Sequence, residues 1–275
     1  MKDAIYDRIS VRTYEKKALT KKEKDIIDDL IKKASLIKGP FGHQVNFFTD
    51  HQESNLDNEA KRIGTYGFIK NAPSFIGGTV TNEITGIIDF GYIFEYLFLG
   101  LTKEGFGTCW LGGTFDRGAF SKYVSSNEVI PAITPVGYQE DKMSFRERIT
   151  RIAVKANRRK SFEEMFYLDD IFHPLQENMN HQLKSALELV KLAPSASNKQ
   201  PWRIIINDQN VHFYLERTPN YGTKLPFSIQ FLDMGIALLH FEIGLKELGM
   251  SYEMKKLETQ TPNNFEYILS FTLKA

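Results

Sequence analysis

Residues 192 to 206, LAPSASNKQPWRIII, place two prolines, two serines, an asparagine, a glutamine and a tryptophan between a helical pattern and an apolar strand. A plain connector needs none of this chemistry. Pro194 ends the preceding helix by withholding an N–H. Ser195, Ser197 and Asn198 then add hydroxyl, amide and freed backbone groups beside Ala196, and Gln200 carries a donor and an acceptor on one planar group. Trp202 opens the strand and is expected to pack inward. This set suits the edge of a flat heteroaromatic with alternating carbonyls and ring nitrogens. Its plainer reading is a Ser/Asn-rich turn above a buried tryptophan.

Three other stretches carry groups of the same kind. In Tyr6 to Tyr14, Arg8 and Arg12 flank Ser10 and can grip an anion through charge-assisted hydrogen bonds worth roughly 1.5–3 kcal/mol each; the plainer reading is surface charge. In Gly107 to Thr114, the glycines bring backbone N–H groups at Leu111, Gly112 and Gly113 close to a ligand. Arg158, Arg159 and Lys160 form a basic cluster before Glu163 and Glu164, either further anion contacts or a solvated linker.

Other chemistries find little support. The six histidines (43, 51, 173, 181, 212 and 240) show no metal-ligand spacing, and no CxxC, GxGxxG, GxxxxGK[ST] or GxSxG pattern occurs. No catalytic side chain is assigned. With 35 Lys+Arg against 34 Asp+Glu, no basic field points to nucleic acid or an anionic membrane. The lone Cys109 excludes an internal disulfide and fits a reducing compartment. Lys2, Asp3, Asp7 and Arg8 interrupt any leader-like apolar run, and the apolar stretch Tyr92 to Leu101 contains Glu95 and reads as too short to span a bilayer. A soluble cytoplasmic protein is expected.

The elements that must position these groups follow from periodicity. Thr20-Lys-Lys-Glu23 is a capping box for a helix ending near Lys38-Gly39-Pro40, followed by a strand at 45–49, a partly helical polar stretch at 56–70 and a strand at 73–79. Asp89 to Lys103 is apolar nearly all round and reads as a buried helix. A helix at 119–124, a strand at 132–138 and a second capping box at Ser144–Glu147 follow. Beyond them come a helix at 178–192, strands at 203–207 and 211–217, a long apolar helix at 228–248, and strands at 251–256 and 267–273.

The grammar repeats. Asp89, Gly91, Gly100, Leu101 and Gly105 recur as Asp233, Gly235, Gly244, Leu245 and Gly249, each 144 residues on. Glycine inside a buried helix loses roughly 1 kcal/mol relative to alanine, so its recurrence implies close backbone approach. The fold class inferred is α+β: two copies of one unit, residues 1–165 and 166–275, packed about a pseudo-twofold axis through long buried central helices.

Together, R-x-S-x-R at Arg8–Arg12, G-T-C-W-x-G-G at Gly107–Gly113, R-K-x-F-E-E at Arg159–Glu164 and P-S-x-x-N-x-Q-P-W at Pro194–Trp202 resemble the marks of FMN-dependent nitroreductases. An ordinary member carries all of them on one subunit and binds flavin between the subunits of a homodimer. Here they are split between the halves, which resembles the tandem, single-chain pseudodimer group. The other combination of halves lacks them: Ala34 to Gln44 replaces the serine-rich junction, and Gly249-Met-Ser-Tyr252 lacks W-x-G-G.

The resemblance implies one FMN per chain. Arg8 and Arg159 would hold its phosphate, with Arg158 the alternative to Arg159; Ser10 would meet the phosphate or ribityl chain, and Arg12 the N1/O2 edge. Pro194, Ser195 and Ala196 would line the ring from the other half with Asn198 and Gln200 nearby, and Leu111, Gly112 and Gly113 would face N5. It further implies a monomer that takes hydride from NAD(P)H and passes it to a nitroaromatic, quinone or similar small acceptor by ping-pong kinetics. Relatives that fragment flavin or dehalogenate aromatics are not excluded. The alternative function is a flavin-binding or sequestering protein without turnover.

Overall fold

The structure, a computed structural model, describes residues 1–51, 64–65, 68–140, 158–262 and 264–274. Most of the stretch expected at 56–70 and the capping box expected at Ser144–Glu147 lie outside the described residues. The chain enters through a short helix, α1 (Lys2–Asp7), which buries Ala4 and Ile5. Thr20 caps α2 (Lys21–Ser35) reciprocally: its hydroxyl accepts the Glu23 N–H at 3.3 Å, and the Glu23 carboxylate accepts the Thr20 N–H at 2.6 Å. Strands β1 (Asn46–His51) and β2 (Ser74–Thr81) pair antiparallel and lead to α3 (Ile84–Lys103).

Helix α3 begins five residues before the expected Asp89. Its first turns, Ile84-Thr-Gly-Ile-Ile, are β-branched or glycine and weak helix formers, so burial of Ile87 and Ile88 overrides propensity there. The expectation of a stretch too short for a bilayer is corrected as well. The 20-residue helix is long and apolar enough by length and composition, but 83% of it is buried inside the molecule. After β3 (Gly107–Thr108), Arg117–Tyr123 forms a 3₁₀ turn where an α-helix was expected. There the Asp116 carboxylate takes the Gly118 N–H at 2.8 Å, closing a tight turn. Strands β4 (Glu128–Val129) and β5 (Ile133–Gly137) follow.

The second run opens with α4 (Phe162–Met165), capped by Ser161 and Glu164, and β6 (Phe166–Leu168). Helix α5 (Lys184–Leu192) starts six residues later than expected, because His181 Nδ1 takes the Leu183 N–H at 3.1 Å and holds that approach as a turn. Strands β7 (Trp202–Asn207) and β8 (Asn210–Glu216) form a hairpin, followed by α6 (Gln230–Glu247), β9 (Tyr252–Lys255) and β10 (Phe265–Leu273).

Both sheets follow one path. The first runs β1-β2-β5-β3 and the second β7-β8-β10-β9, with β4 added beside β2 and β6 added parallel to β7. In each, the strand after the central helix pairs with the last strand. The helices show the same symmetry at atomic level. A Cβ on Gly91 would lie 2.2 Å from the Leu232 carbonyl oxygen, and one on Gly235 would lie 1.9 Å from that of Ile88. Both glycines and both carbonyls are 144 residues apart, so one contact is made twice across a pseudo-twofold axis. Further along, Gly100 faces Leu30 of α2 and Gly244 faces Ala186 of α5. A continuous apolar core extends from Ala4 to Leu273 through both halves.

Candidate functional site

The amino-terminal segment is pinned alongside β3. Ser10 bridges Thr108, the Val11 N–H donates to the Thr108 carbonyl at 2.8 Å, and the Tyr14 hydroxyl donates to the Val11 carbonyl at 2.8 Å. Side chains alternate along extended backbone. Buried Val11 therefore fixes the register that turns Ser10 and Arg12 the other way.

The serine-rich junction is built under strain. Ser197, Asn198 and Gln200 all adopt positive φ, at 49°, 55° and 49°. Such conformations suit asparagine but disfavour serine and glutamine by roughly 1–3 kcal/mol each. Its polar groups hold the shape. The Ser195 hydroxyl accepts the Gln200 N–H at 2.9 Å, and the Tyr221 hydroxyl donates to Ser197 Oγ at 2.8 Å. Gln200, 3% exposed, accepts the Lys160 N–H at 2.8 Å and donates to the Arg158 carbonyl at 3.2 Å. Asn198 Nδ2 donates to the same carbonyl at 2.7 Å. The amide pair thus fastens the basic segment onto the junction. Arg158 faces outward, whereas Arg159 is drawn in, donating to Asn198 Oδ1 at 2.6 Å and to the Leu192 carbonyl at 3.2 Å.

Between these stretches lies a cleft of about 820 Å³. Arg8, Ser10, Arg12, Gly112 and Arg159 line it from the first half, and Pro194, Ser195, Ala196 and Asn198 from the second. Arg12 and Ser195, from opposite ends of the chain, share one cavity. Leu111, Gly113 and Gln200 are not on its wall. Leu111 is buried with its backbone paired to Ile133, Gly113 is exposed, and the Gln200 amide is occupied as described.

The charge in the cleft is unbalanced. The Arg8 side chain is 7% exposed, and its Nε and Nη1 make no hydrogen bond among the described residues; the Glu95 carboxylate lies 3.7 Å from Nε. Burial, and then the neighbouring Arg8 guanidinium, push the pKa of Arg159 down to about 10. A buried and a half-buried guanidinium with one nearby carboxylate leave net positive charge at the cleft wall, which favours an anion there. A phosphate monoester matches their fork geometry. Behind Ala196, whose N–H donates to Asp233 at 2.9 Å, burial pushes the Asp233 carboxyl well up.

Further lining residues escaped the reading of the sequence. Ile229, Leu232 and Ile236 form an apolar wall with Trp110, while Asp233 joins Ser197, already read from the sequence, on the junction side. The i, i+3, i+7 spacing of Ile229, the N-cap of α6, with Leu232 and Ile236 places them on one face. That signal was hidden because α6 is apolar all round. Trp110 belonged to the glycine loop already singled out.

The family model described as "Putative TM nitroreductase" matches residues 1–245. A Thermotoga maritima protein described as a putative nitroreductase has a similar structure, with a TM-score of 0.60 and 21% identity over 98% of this chain and 91% of that one. A nitroreductase family protein of Clostridium novyi covers 51% of this chain and 85% of its own, at 22% identity and a TM-score of 0.41. An FMN-dependent nitroreductase of Clostridium difficile covers 52% and 90%, at 20% identity and a TM-score of 0.41. No curated protein matches the chain. At its identity level, the Thermotoga likeness shows the fold, and the family model shows the kinship: the chain belongs to this nitroreductase family.

Proposed function

We propose that the cleft binds one FMN per chain and that the protein is an oxidoreductase, moving a hydride from NAD(P)H to a nitroaromatic, quinone or similar small acceptor by a ping-pong mechanism. The observation that carries this reading is the pairing of Arg8 and Arg159, two guanidinium groups lining one cleft, with an apolar wall beside them. When bound, the flavin supplies a reversible two-electron carrier.

The chain's own residues do the rest. Arg8 and Arg159 hold the phosphate, and Ser10 binds beside it. Arg12 directs positive charge at the N1/O2 edge, where it stabilises negative charge on the ring. Pro194, Ser195 and Ala196 support the ring from the second half, and Asn198 braces Arg159 against it. Gly112, with Leu111 and Gly113 flanking it, offers backbone groups towards N5. Gln200 acts at one remove, through the backbone of Lys160 and Arg158. Because one chain supplies both walls, a monomer suffices, and the balanced surface and lone buried Cys109 fit a reducing cytoplasm.

Purified protein is expected to be yellow, to carry about one FMN, and to be bleached by NADH or NADPH under anaerobic conditions. A colourless protein that ignores added FMN contradicts the flavin site. Bound flavin that neither nucleotide bleaches leaves binding without turnover.

A further inference from the structure

Glu95 sits in the middle of α3 and is 0% exposed. Its carboxylate accepts the Trp110 indole N–H at 2.9 Å and lies 3.1 Å from His240 Nε2 of α6. It is 3.7 Å from Arg8 Nε. His240 Nδ1 lies 2.9 Å from the Leu189 carbonyl, which only accepts, so Nδ1 carries a proton; a second proton on Nε2 makes the ring an imidazolium that donates to Glu95. Trp110 is itself held by stacking on Phe98, with ring centroids 4.7 Å apart. The carboxylate is thus clamped by groups from both halves, Trp110 on Oε2 and His240 on Oε1, and Arg8 Nε approaches that same Oε1.

A buried ionic cluster of this kind is a poor way to hold helices together, since well-packed apolar residues serve as well or better. The molecule contains that alternative. The residue 144 positions on from Glu95 is Leu239, at the equivalent point of α6 and on the wall of the second, symmetry-related cleft. The second half has no counterpart of Arg8-Ile-Ser-Val-Arg12. The acid stands where the arginine wall exists, and a leucine stands where it does not.

We propose that Glu95 is the positioning residue for Arg8: braced by Trp110 and His240, it holds the guanidinium at the cleft wall so that the edge turned towards the cleft meets the anionic end of the ligand. This rests on the flavin reading of the cleft. It goes beyond that reading, because Glu95 is not on the cleft wall.

The test compares dissociation constants for FMN and for riboflavin, which lacks the phosphate, in the wild type, Glu95→Leu, Glu95→Gln and Arg8→Ala, with thermal melting to confirm folding. Glu95→Leu is expected to weaken FMN binding by about tenfold or more while riboflavin changes by less than about threefold. Glu95→Gln should fall between wild type and Glu95→Leu. Adding Glu95→Leu to Arg8→Ala should cause no further loss. A second readout needs no flavin: ¹⁵N relaxation of the Arg8 Nε–H should show a rigid side chain in the wild type and a mobile one in Glu95→Leu. Unchanged FMN affinity in Glu95→Leu, or equal losses of FMN and riboflavin, overturns the proposal. If the wild type binds neither flavin, the flavin reading fails; Arg8 rigidity then decides whether Glu95 positions it, and an equally rigid Arg8 in Glu95→Leu rejects the role.

Discussion

Ile236 lies on the wall of the first cleft. Its partner 144 residues earlier, Tyr92, instead turns its hydroxyl onto Glu242, which also accepts from the Tyr252 hydroxyl and from Lys246 Nζ at 2.9 Å. The paired aspartates differ in the same sense. Asp89 accepts from Phe41 at 3.0 Å and from His43 at 2.9 Å, engaging both oxygens, whereas Asp233 accepts from Ala196 alone and its Oδ2 has no partner among the described residues. Asp89 and Glu242 are thus hydrogen-bonded on both oxygens or by several donors, whereas Arg8 Nε, Arg8 Nη1 and Asp233 Oδ2 have no partner among the described residues. At these equivalent positions, one side turns its polar atoms to each other and the other turns them elsewhere.

The largest expected effect lies on the first cleft alone. Replacing both Arg8 and Arg159 with alanine should weaken FMN binding by about a thousandfold, from the loss of two charge-assisted contacts. Lys246→Ala in the second cleft should leave affinity unchanged. Fluorescence titration measures both, and equal losses would erase the distinction.

The symmetry itself can be broken next. Gly91→Ala and Gly235→Ala each drive a methyl group into a helix carbonyl, so each should destabilise the fold by about 3 kcal/mol. Urea unfolding should give similar values for the two. A large cost at one and none at the other would contradict the reciprocal contact.

Acidity offers a milder test. Burial raises the pKa of Asp89 from 3.8 to about 6 against the opposing Phe41 and His43 N–H groups. The folded chain therefore holds this proton more tightly than the unfolded chain, and stability falls as pH rises from about 4 to about 6. Relative to Asp89→Asn, the wild type should lose roughly 2 kcal/mol across that window. A flat difference would remove the assigned shift. Smallest of all, Tyr92→Ile should cost about 1 kcal/mol and add no second flavin, since restoring the shape of Ile236 restores no arginine.

Much of this architecture was legible in the residues. Five identities at one spacing located the central helices, because a glycine facing a backbone carbonyl cannot be exchanged. The split between Arg8–Arg12 and Pro194–Asn198 located the walls. What stayed hidden depends on orientation. Gln200 looks like a ligand contact in sequence, but its amide is spent on Lys160 and Arg158, a long-range pairing that no local pattern records. Ile229, Leu232 and Ile236 sit in a helix with no polar face to show which side meets the cleft. The early start of α3 runs against the propensity of Ile84 to Ile88 and follows only from burial.

The most direct measurement is a crystal structure of the protein saturated with FMN. One flavin per chain is expected, its phosphate between Arg8 and Arg159 and its ring against Pro194 to Ala196, with the second cleft holding none. A flavin in the second cleft, two per chain, or an empty first cleft at saturation would contradict the asymmetry on which the functional reading depends.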